Sequence, residues 1–121
     1  MNRNFFTEEM SVLRIYTSEK DLLDGIPFYE WLSRKACSSG MAGAAVFHGL
    51  GGFSMGNPVL SAELNLFRQN PPVVVEIIDR LENIENFVQK IRNVIPRGLM
   101  TVQPVGIRYY GAVRKKICRK E

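Results

Sequence analysis

The chain has 121 residues and a net charge of +4, with 45% hydrophobic and 23% charged residues. This length and composition are typical of one small globular domain and exclude a disordered or fibrous protein. No apolar run approaches the ~18 residues that span a bilayer, and Glu8 and Glu9 stand where a signal peptide has its apolar core. We therefore expect a cytoplasmic protein.

The positive charge is confined to the C-terminus. Five basic residues and one acid lie in residues 114–121, and removing them from the 16 basic and 12 acidic residues leaves 11 of each. A basic tail of this kind suits nucleic acid, a membrane surface or an acidic partner, but a solvated chain end has the same composition. The tail alone therefore defines no partner.

The first half of the chain predicts two strands around one helix. Residues 11–16 alternate in polarity, which is typical of a strand. After a polar connection, Asp24 is expected to cap a helix that has Pro27 in its first turn and ends at Gly40. The apolar run 44–50 predicts the second strand. The apolar stripe of the helix is Phe28, Tyr29, Leu32 and Ala36, with Trp31 at its edge.

The second half begins with a long connection and a third strand. Residues 62–67 alternate weakly, and the prolines at 71 and 72 precede the apolar run 73–79. Because proline cannot donate to a sheet ladder, this point of the strand is expected to be a bulge or an edge.

The second helix is the best-marked element of the sequence. Asp79 and Glu82 form a D-x-x-E capping pattern, and Pro96 and Gly98 are expected to end the helix. Apolar residues recur at three-four spacing, which predicts a buried stripe. They are Leu81, Ile84, Val88, Ile91 and Ile95.

A fourth strand over residues 99–103 completes the pattern, and residues 105–110 can add a short fifth. The resulting β-α-β-β-α-β order predicts an α+β, ferredoxin-like fold, in which two helices cover one face of an antiparallel sheet. We expect this domain over residues 11–110, after an N-terminal extension (1–10) and before a basic tail (111–121).

Both faces of the predicted sheet carry apolar side chains. One set, Leu13, Ile15, Val75 and Ile77, suits the face beneath the helices; the other set is Val12, Tyr16, Val74 and Ile78. A monomer would expose the second set to water, and large exposed apolar patches usually mark interfaces. We therefore expect an oligomer.

Residues 47–58 contain four glycines, which raises the question of a phosphate-binding loop. The dinucleotide fingerprint fails because its third glycine would fall at Ser54. The Walker spacing of Gly51 and Gly56 fails because Asn57 and Pro58 replace the required Lys and Ser/Thr. A hairpin connection remains, but one longer than the ~12–15 residues beyond which loops tend to be functional or disordered.

Four motifs follow one another along residues 11–109: LRIY, the helix start GIPFYE, the stretch GMAGAAVFHGLGGF, and PVVVEIID. In this order they resemble the PII signal-transduction proteins, and more closely a small PII-like family of unknown function. The resemblance implies a homotrimer of ferredoxin-like subunits. It also implies that residues 51–72 form the T-loop, which PII proteins insert into partners such as membrane transporters.

PII proteins bind adenine nucleotides in clefts between subunits, so the resemblance also implies a site. Its contacts would come from the T-loop base, the loop after the second helix and a C-terminal arginine. By position these are Gly49, Gly51, Gly52, Arg97, Gly98 and Arg108. Glycines let main-chain N–H groups approach an anion, and arginine offers phosphate a bidentate fork. Phe53 and Met55, in the loop, either contact a partner or pack on their own subunit.

The sequence also departs from the PII pattern. The glutamine that directly follows the glycines in PII proteins has no counterpart here, residues 51–72 contain no tyrosine, and Arg97 stands where a lysine is expected. The paired C-terminal arginines reduce to Arg108, followed by Tyr109 and Tyr110. These departures disfavour 2-oxoglutarate sensing and weaken triphosphate binding, which leaves an adenine nucleotide with fewer phosphates as the expected effector. No other cofactor is implied.

Metal and acid–base chemistry are poorly indicated. His48 is the single histidine and lacks the clustered ligands that a metal site needs. Glu19 and Asp21 are expected to be turn residues rather than a paired acid and base. The two cysteines have no C-x-x-C spacing, and we expect a buried thiol at Cys37.

Two other classes of function fit the same fold. An enzyme, such as an acylphosphatase-like hydrolase or a small isomerase, would need a nucleophile–base pair or paired carboxylates, and none is evident. An RNA-recognition domain would place aromatic residues on the central strand, but residues 73–79 read VVVEIID. Both remain alternatives to a regulatory, non-enzymatic protein.

Overall fold

The computed structural model describes residues 9–50, 71–96, 98–109 and 111. Four strands form one antiparallel sheet in the order β4-β5-β1-β6, and β2 pairs with β3 in a separate hairpin. This is the predicted ferredoxin-like arrangement. In chain order the elements are β1 (Glu9–Ser18), β2 (Leu22–Leu23), β3 (Ile26–Pro27), α1 (Phe28–Ser38), β4 (Gly43–His48), β5 (Pro72–Asp79), α2 (Leu81–Ile91) and β6 (Leu99–Gly106).

The core lies between the sheet and the two helices. Strand pairing places Leu13 opposite Ile77 and Ile15 opposite Val75, so the four side chains share the helix-covered face. They are fully buried, as the alternation predicts. On the opposite face, called the open face below, Tyr16, Val74 and Ile78 are half-buried. Val12 is buried at 4% exposure, so the expectation that the isolated chain exposes it is wrong.

The first helix begins later than the sequence analysis predicts. Asp24 does not cap it: Asp24 and Gly25 have φ values of 53° and 80° and form the turn between β2 and β3. Two consecutive positive φ values define the type I′ hairpin turn that an Asp-Gly pair favours. Pro27 therefore occupies the N-cap position, without a side-chain cap.

The buried stripe of α1 is confirmed. Phe28, Leu32 and Ala36 face the core, while Tyr29 and Trp31 are half-buried and pack against it. Cys37, half-buried near the end of the helix, is disulfide-bonded, which corrects the expectation of a buried thiol there.

The second helix confirms most of the predicted stripe, since Ile84 and Ile91 are buried and Val88 and Ile95 pack against the core, but it differs at Leu81 and Phe87. Its buried residues are Ile84, Phe87 and Ile91, whereas Leu81 is 50% exposed. The helix ends at Ile91, before the predicted stop at residues 96–98. Phe87 was missed because the three-four series beginning at Leu81 passes through position 88 instead of 87.

Asp79 ties the start of α2 to the turn that precedes β4. The predicted capping pair with Glu82 is wrong, because no side chain caps α2. Instead, the Asp79 carboxylate accepts hydrogen bonds from the Arg80 N–H at 2.6 Å, the Asn83 side chain at 2.9 Å and the Ala42 N–H at 3.1 Å. A buried carboxylate with three donors fixes the position of both segments.

The last strand is longer than predicted. β6 continues through residue 106, so no separate fifth strand follows in residues 107–109. The weak strand pattern of residues 62–67 lies outside the described part of the chain. None of the helices in that described part is long and apolar enough to span a membrane.

Replacing Phe87 with alanine should lower the free energy of unfolding by about 3–5 kcal/mol, because it leaves a cavity in the core. Leu81→Ala is the matched control in the same helix, and its half-exposed side chain should contribute much less. Urea unfolding at a fixed protein concentration measures both. Equal losses for the two variants would show that Leu81 packs in the core, as the sequence predicts.

Candidate functional site

The predicted nucleotide contacts are divided between the two ends of the sheet. At one end, called the loop end below, β1 and β4 finish and β5 and β6 begin, so the connection between β4 and β5 leaves from here. The other end, called the far end, holds the start of β1 and the end of β6.

Gly49 lies at the loop end, directly after β4. Its N–H donates to the Pro72 carbonyl at 2.8 Å and so continues the β4–β5 ladder. A Cβ at this position would meet the Pro72 ring carbon Cγ at 2.9 Å. A side chain would therefore force the proline away, and this close approach by itself explains the glycine.

Gly98 lies at the same end, on the opposite edge of the sheet, where it leads into β6. Its φ is +132°, a conformation that residues with a side chain rarely adopt, and a Cβ here would collide with the carbonyl oxygen of Tyr16 on β1. The sheet order places β5 and β1 between the edges that carry Gly49 and Gly98. The two glycines are thus about 14 Å apart across three strand spacings.

Arg108 lies far from both glycines within one chain. It follows β6 by two residues, and the end of β6 at Gly106 pairs with Glu9, the first residue of β1. At about 3.3 Å per strand residue, Arg108 is therefore roughly 30 Å from Gly98 along the strand. The Arg108 side chain is exposed at the far end.

The other predicted site residues lie outside the described residues. They are the glycines at 51 and 52, Arg97, and the loop residues Phe53 and Met55. Their places in the site remain sequence-based predictions.

His48 forms contacts that the sequence analysis did not foresee. Its Nδ1 lies 3.3 Å from Oε2 of Glu19, in the turn after β1. Its ring meets the Tyr29 ring edge-on, with 5.2 Å between centroids and 82° between planes. These three residues come from different segments and meet only because the strands are paired in this register, so no sequence spacing signals the cluster.

The turn after β1 is held by a buried carboxylate. The Thr17 hydroxyl donates to Asp21 Oδ2 at 2.7 Å, and the Ser18 N–H donates to the same oxygen at 3.2 Å. Asp21 is 6% exposed, which agrees with its predicted role as a turn residue. The Ser18 hydroxyl beside it is buried with no hydrogen-bond partner within the described structure.

The open face carries a polar network in the middle of its apolar surface. Arg14 Nε donates to Glu76 Oε2 at 2.8 Å, and Arg14 Nη1 donates to Gln103 Oε1 at 2.7 Å. Arg14 and Glu76 are about 30% exposed. Phe47 and Leu99, both about half exposed, lie one row along, in line with Val74 and Tyr16.

Two cavities lie elsewhere in the described structure. A cavity of about 370 Å³ runs between α1 and β4, and another of about 180 Å³ lies between the end of α1 and α2. The lining of neither includes Gly49 or Gly98. In the described ranges, no three His, Cys, Asp or Glu side chains are grouped closely enough to hold a metal ion.

The sequence matches a known family over almost the whole described fold. The profile of the DUF190 family, described as uncharacterized ACR, matches residues 10–107, and the chain belongs to this family. A UPF0166 protein of Aquifex aeolicus is 38% identical over 98 residues, covering 81% of this chain and 92% of that protein. A UPF0166 protein of Methanocaldococcus jannaschii is 33% identical over 86 residues, covering 69% and 77%.

A solved structure defines the class of fold. The chain is similar to the CPII protein of Thiomonas intermedia, whose structure was determined with ADP and bicarbonate bound. The TM-score is 0.53 at 12% identity, with 84% of this chain and 90% of that chain covered. The fold is therefore PII-like, as the motifs suggested.

Gly98→Ala should destabilise the protein by at least about 2 kcal/mol, because it combines an unfavourable φ with a backbone collision. Gly106→Ala, at the other end of β6, is the control: the nearest atom to its added methyl group is Arg108 Nη1 at 4.0 Å. Thermal unfolding compares the two. A Gly98→Ala protein as stable as Gly106→Ala would mean that Gly98 is kept for some reason other than its packing on β1.

Proposed function

We propose that this protein is a PII-like regulatory protein that binds an adenine nucleotide in clefts between the subunits of a homotrimer. Through the connection of residues 51–72 it would contact a regulated partner, such as a membrane transporter. The role is binding rather than catalysis. The PII-like fold and the ADP bound to the CPII neighbour support a nucleotide as the effector.

One observation carries the intersubunit part of the proposal. Gly49 and Gly98 lie at the loop end, whereas Arg108 lies at the far end of the same chain. Within one subunit, Arg108 cannot reach a nucleotide that is held at the two glycines. If the three residues form one site, Arg108 must come from a neighbouring subunit, as in a head-to-tail ring.

The open face supports self-assembly. Phe47 and Leu99 expose apolar surface there, and Arg14, Glu76 and Gln103 already satisfy one another within the subunit. Burying an ion pair is least costly when both charges keep their partners. The open face can therefore be covered by other copies of the chain without leaving an unpaired charge.

The placement of the loop supports partner contact. The connection leaves the sheet after β4 and returns at Pro72, so both of its ends lie beside Gly49. A nucleotide bound at the loop end would then touch the base of the segment that contacts the partner. Nucleotide binding changes partner affinity only if the nucleotide binds the two states of the loop differently.

The native mass should be three times the 13.8 kDa of one chain. Phe47→Asp should dissociate the trimer, because it places a charge on the face that would be buried. Leu22→Asp is the matched control, since Leu22 is 56% exposed, against 52% for Phe47, but lies on the β2–β3 hairpin. Native mass spectrometry distinguishes the species. A trimer that survives Phe47→Asp would contradict assembly through the open face.

Nucleotide affinity should depend on Arg108. Calorimetric titration with AMP, ADP, ATP and cyclic dinucleotides identifies the effector, and Arg108→Ala should weaken its binding by about tenfold or more, the usual contribution of a charge-assisted hydrogen bond. Arg34→Ala is the control, because Arg34 is exposed on α1 and paired with Glu30. Failure of every nucleotide to bind the unaltered protein would overturn the effector proposal.

Mixed assemblies test whether the site is shared between subunits. Arg97→Ala and Arg108→Ala subunits, each defective alone, are refolded together in equal amounts. In a three-membered ring, about a quarter of the clefts then receive Arg97 from one subunit and Arg108 from the next. Tight binding at about a quarter of the clefts supports a cleft that is shared between subunits. The absence of tight binding overturns it.

A further inference from the structure

At the loop end, both ends of the long connection are hydrogen-bonded to other segments of the fold. The Gly49 N–H donates to the Pro72 carbonyl at 2.8 Å, and the Glu19 N–H donates to the Pro71 carbonyl at 3.0 Å. The main chain on each side of residues 50–70 is therefore hydrogen-bonded to a neighbouring segment. Glu19 extends this link to the turn after β1.

Side-chain contacts also connect the segments at the loop end. His48 Nδ1 lies within reach of the Glu19 carboxylate, and its ring rests against Tyr29 in the first turn of α1. His48 thus contacts two segments through one ring. Through it, the end of β4, the turn after β1 and the start of α1 meet at one point.

We propose that His48, Glu19 and Tyr29, called the junction below, are positioning residues that hold the base of the 51–72 connection in a fixed position relative to α1. They act as a unit, so that a change in conformation at the loop base also changes the conformation of the turn after β1. The regulatory part of this inference rests on the proposed function: nucleotide binding at the loop end would alter the loop through the junction.

Because the side chains of His48 and Glu19 are exposed, a positioning role can be distinguished from a stabilising one. The His48 and Glu19 side chains are 48% and 44% exposed, and polar contacts between side chains this exposed contribute little to global stability. Their removal should therefore loosen the loop base while leaving the core intact. Regions that open independently of global unfolding are detected by amide hydrogen exchange.

The test measures exchange of the Glu19 and Gly49 amides without nucleotide. His48→Ala should accelerate both by about threefold or more, with the core amides of Leu13 and Ile77 unchanged, because only local opening is affected. His48→Asn keeps a donor where Nδ1 stood and should restore most of the protection at Glu19. Glu30→Ala breaks the exposed ion pair with Arg34 and should leave both amides unchanged.

A double variant tests whether the residues act together. If they do, His48→Ala combined with Glu19→Ala should accelerate exchange no more than either change alone. Additive acceleration, unchanged exchange in His48→Ala, or equal acceleration of the core amides would each overturn the junction.

Exchange measurements with ADP then distinguish a failure of this inference from a failure of the proposed function. In the unaltered protein, ADP should slow exchange at both Gly49 and Glu19. In His48→Ala, ADP should bind with nearly the same affinity but no longer slow exchange at Glu19. If ADP does not bind the unaltered protein, the ADP site is wrong, whereas the nucleotide-free exchange data still decide the junction. If ADP binds and protects Glu19 equally in both proteins, the coupling through His48 is wrong.

Discussion

The pairing of β1 on both of its edges is the constraint on which the rest of the structure depends. β1 lies between β5 and β6, with Leu13 opposite Ile77 on one side and Val102 on the other. A slip of one residue would turn Leu13 and Ile15 away from the helices and bring the open-face side chains into the core. The same register brings Arg14 beside Glu76.

This register also determines the positions of Gly98 and of the long connection. Because β1 ends where β6 begins, the chain before β6 must cross close to the carbonyl of Tyr16, and only glycine fits at position 98. Because β4 ends where β5 begins, both ends of the long connection emerge beside the turn after β1. The loop end is therefore a consequence of strand pairing rather than of any one motif.

Much of the fold could be predicted from sequence because periodicity reports which side chains face the core. The alternation in β1 and β5 and the stripe of α1 identified buried residues correctly. Local ambiguity caused the errors. Asp24 is a plausible helix cap, and only the strand pairing of its neighbours shows that it belongs to a hairpin turn. Phe87 and Val88 are adjacent apolar residues, and packing decides which one is buried.

The candidate site was less predictable, because a site depends on distances that a sequence does not contain. The resemblance to PII proteins placed Gly49, Gly98 and Arg108 in one group, yet the strand directions put Arg108 at the far end. His48, Glu19 and Tyr29 meet although they are 10 to 29 positions apart in sequence. The identities of Gly49 and Gly98 are explained by close backbone approach and are not evidence of an anion site.

The edge strand β4 has a consequence for how the protein must be produced and handled. In the sheet formed by the described residues, Gly43–His48 pairs on one side only, and it contains no proline and no acidic, lysine or arginine residue. Natural sheets usually protect such edges, as Pro104 does in β6. A subunit whose β4 edge is uncovered would therefore expose unpaired main-chain N–H and C=O groups to other chains, so that a high protein concentration favours aggregation through this edge.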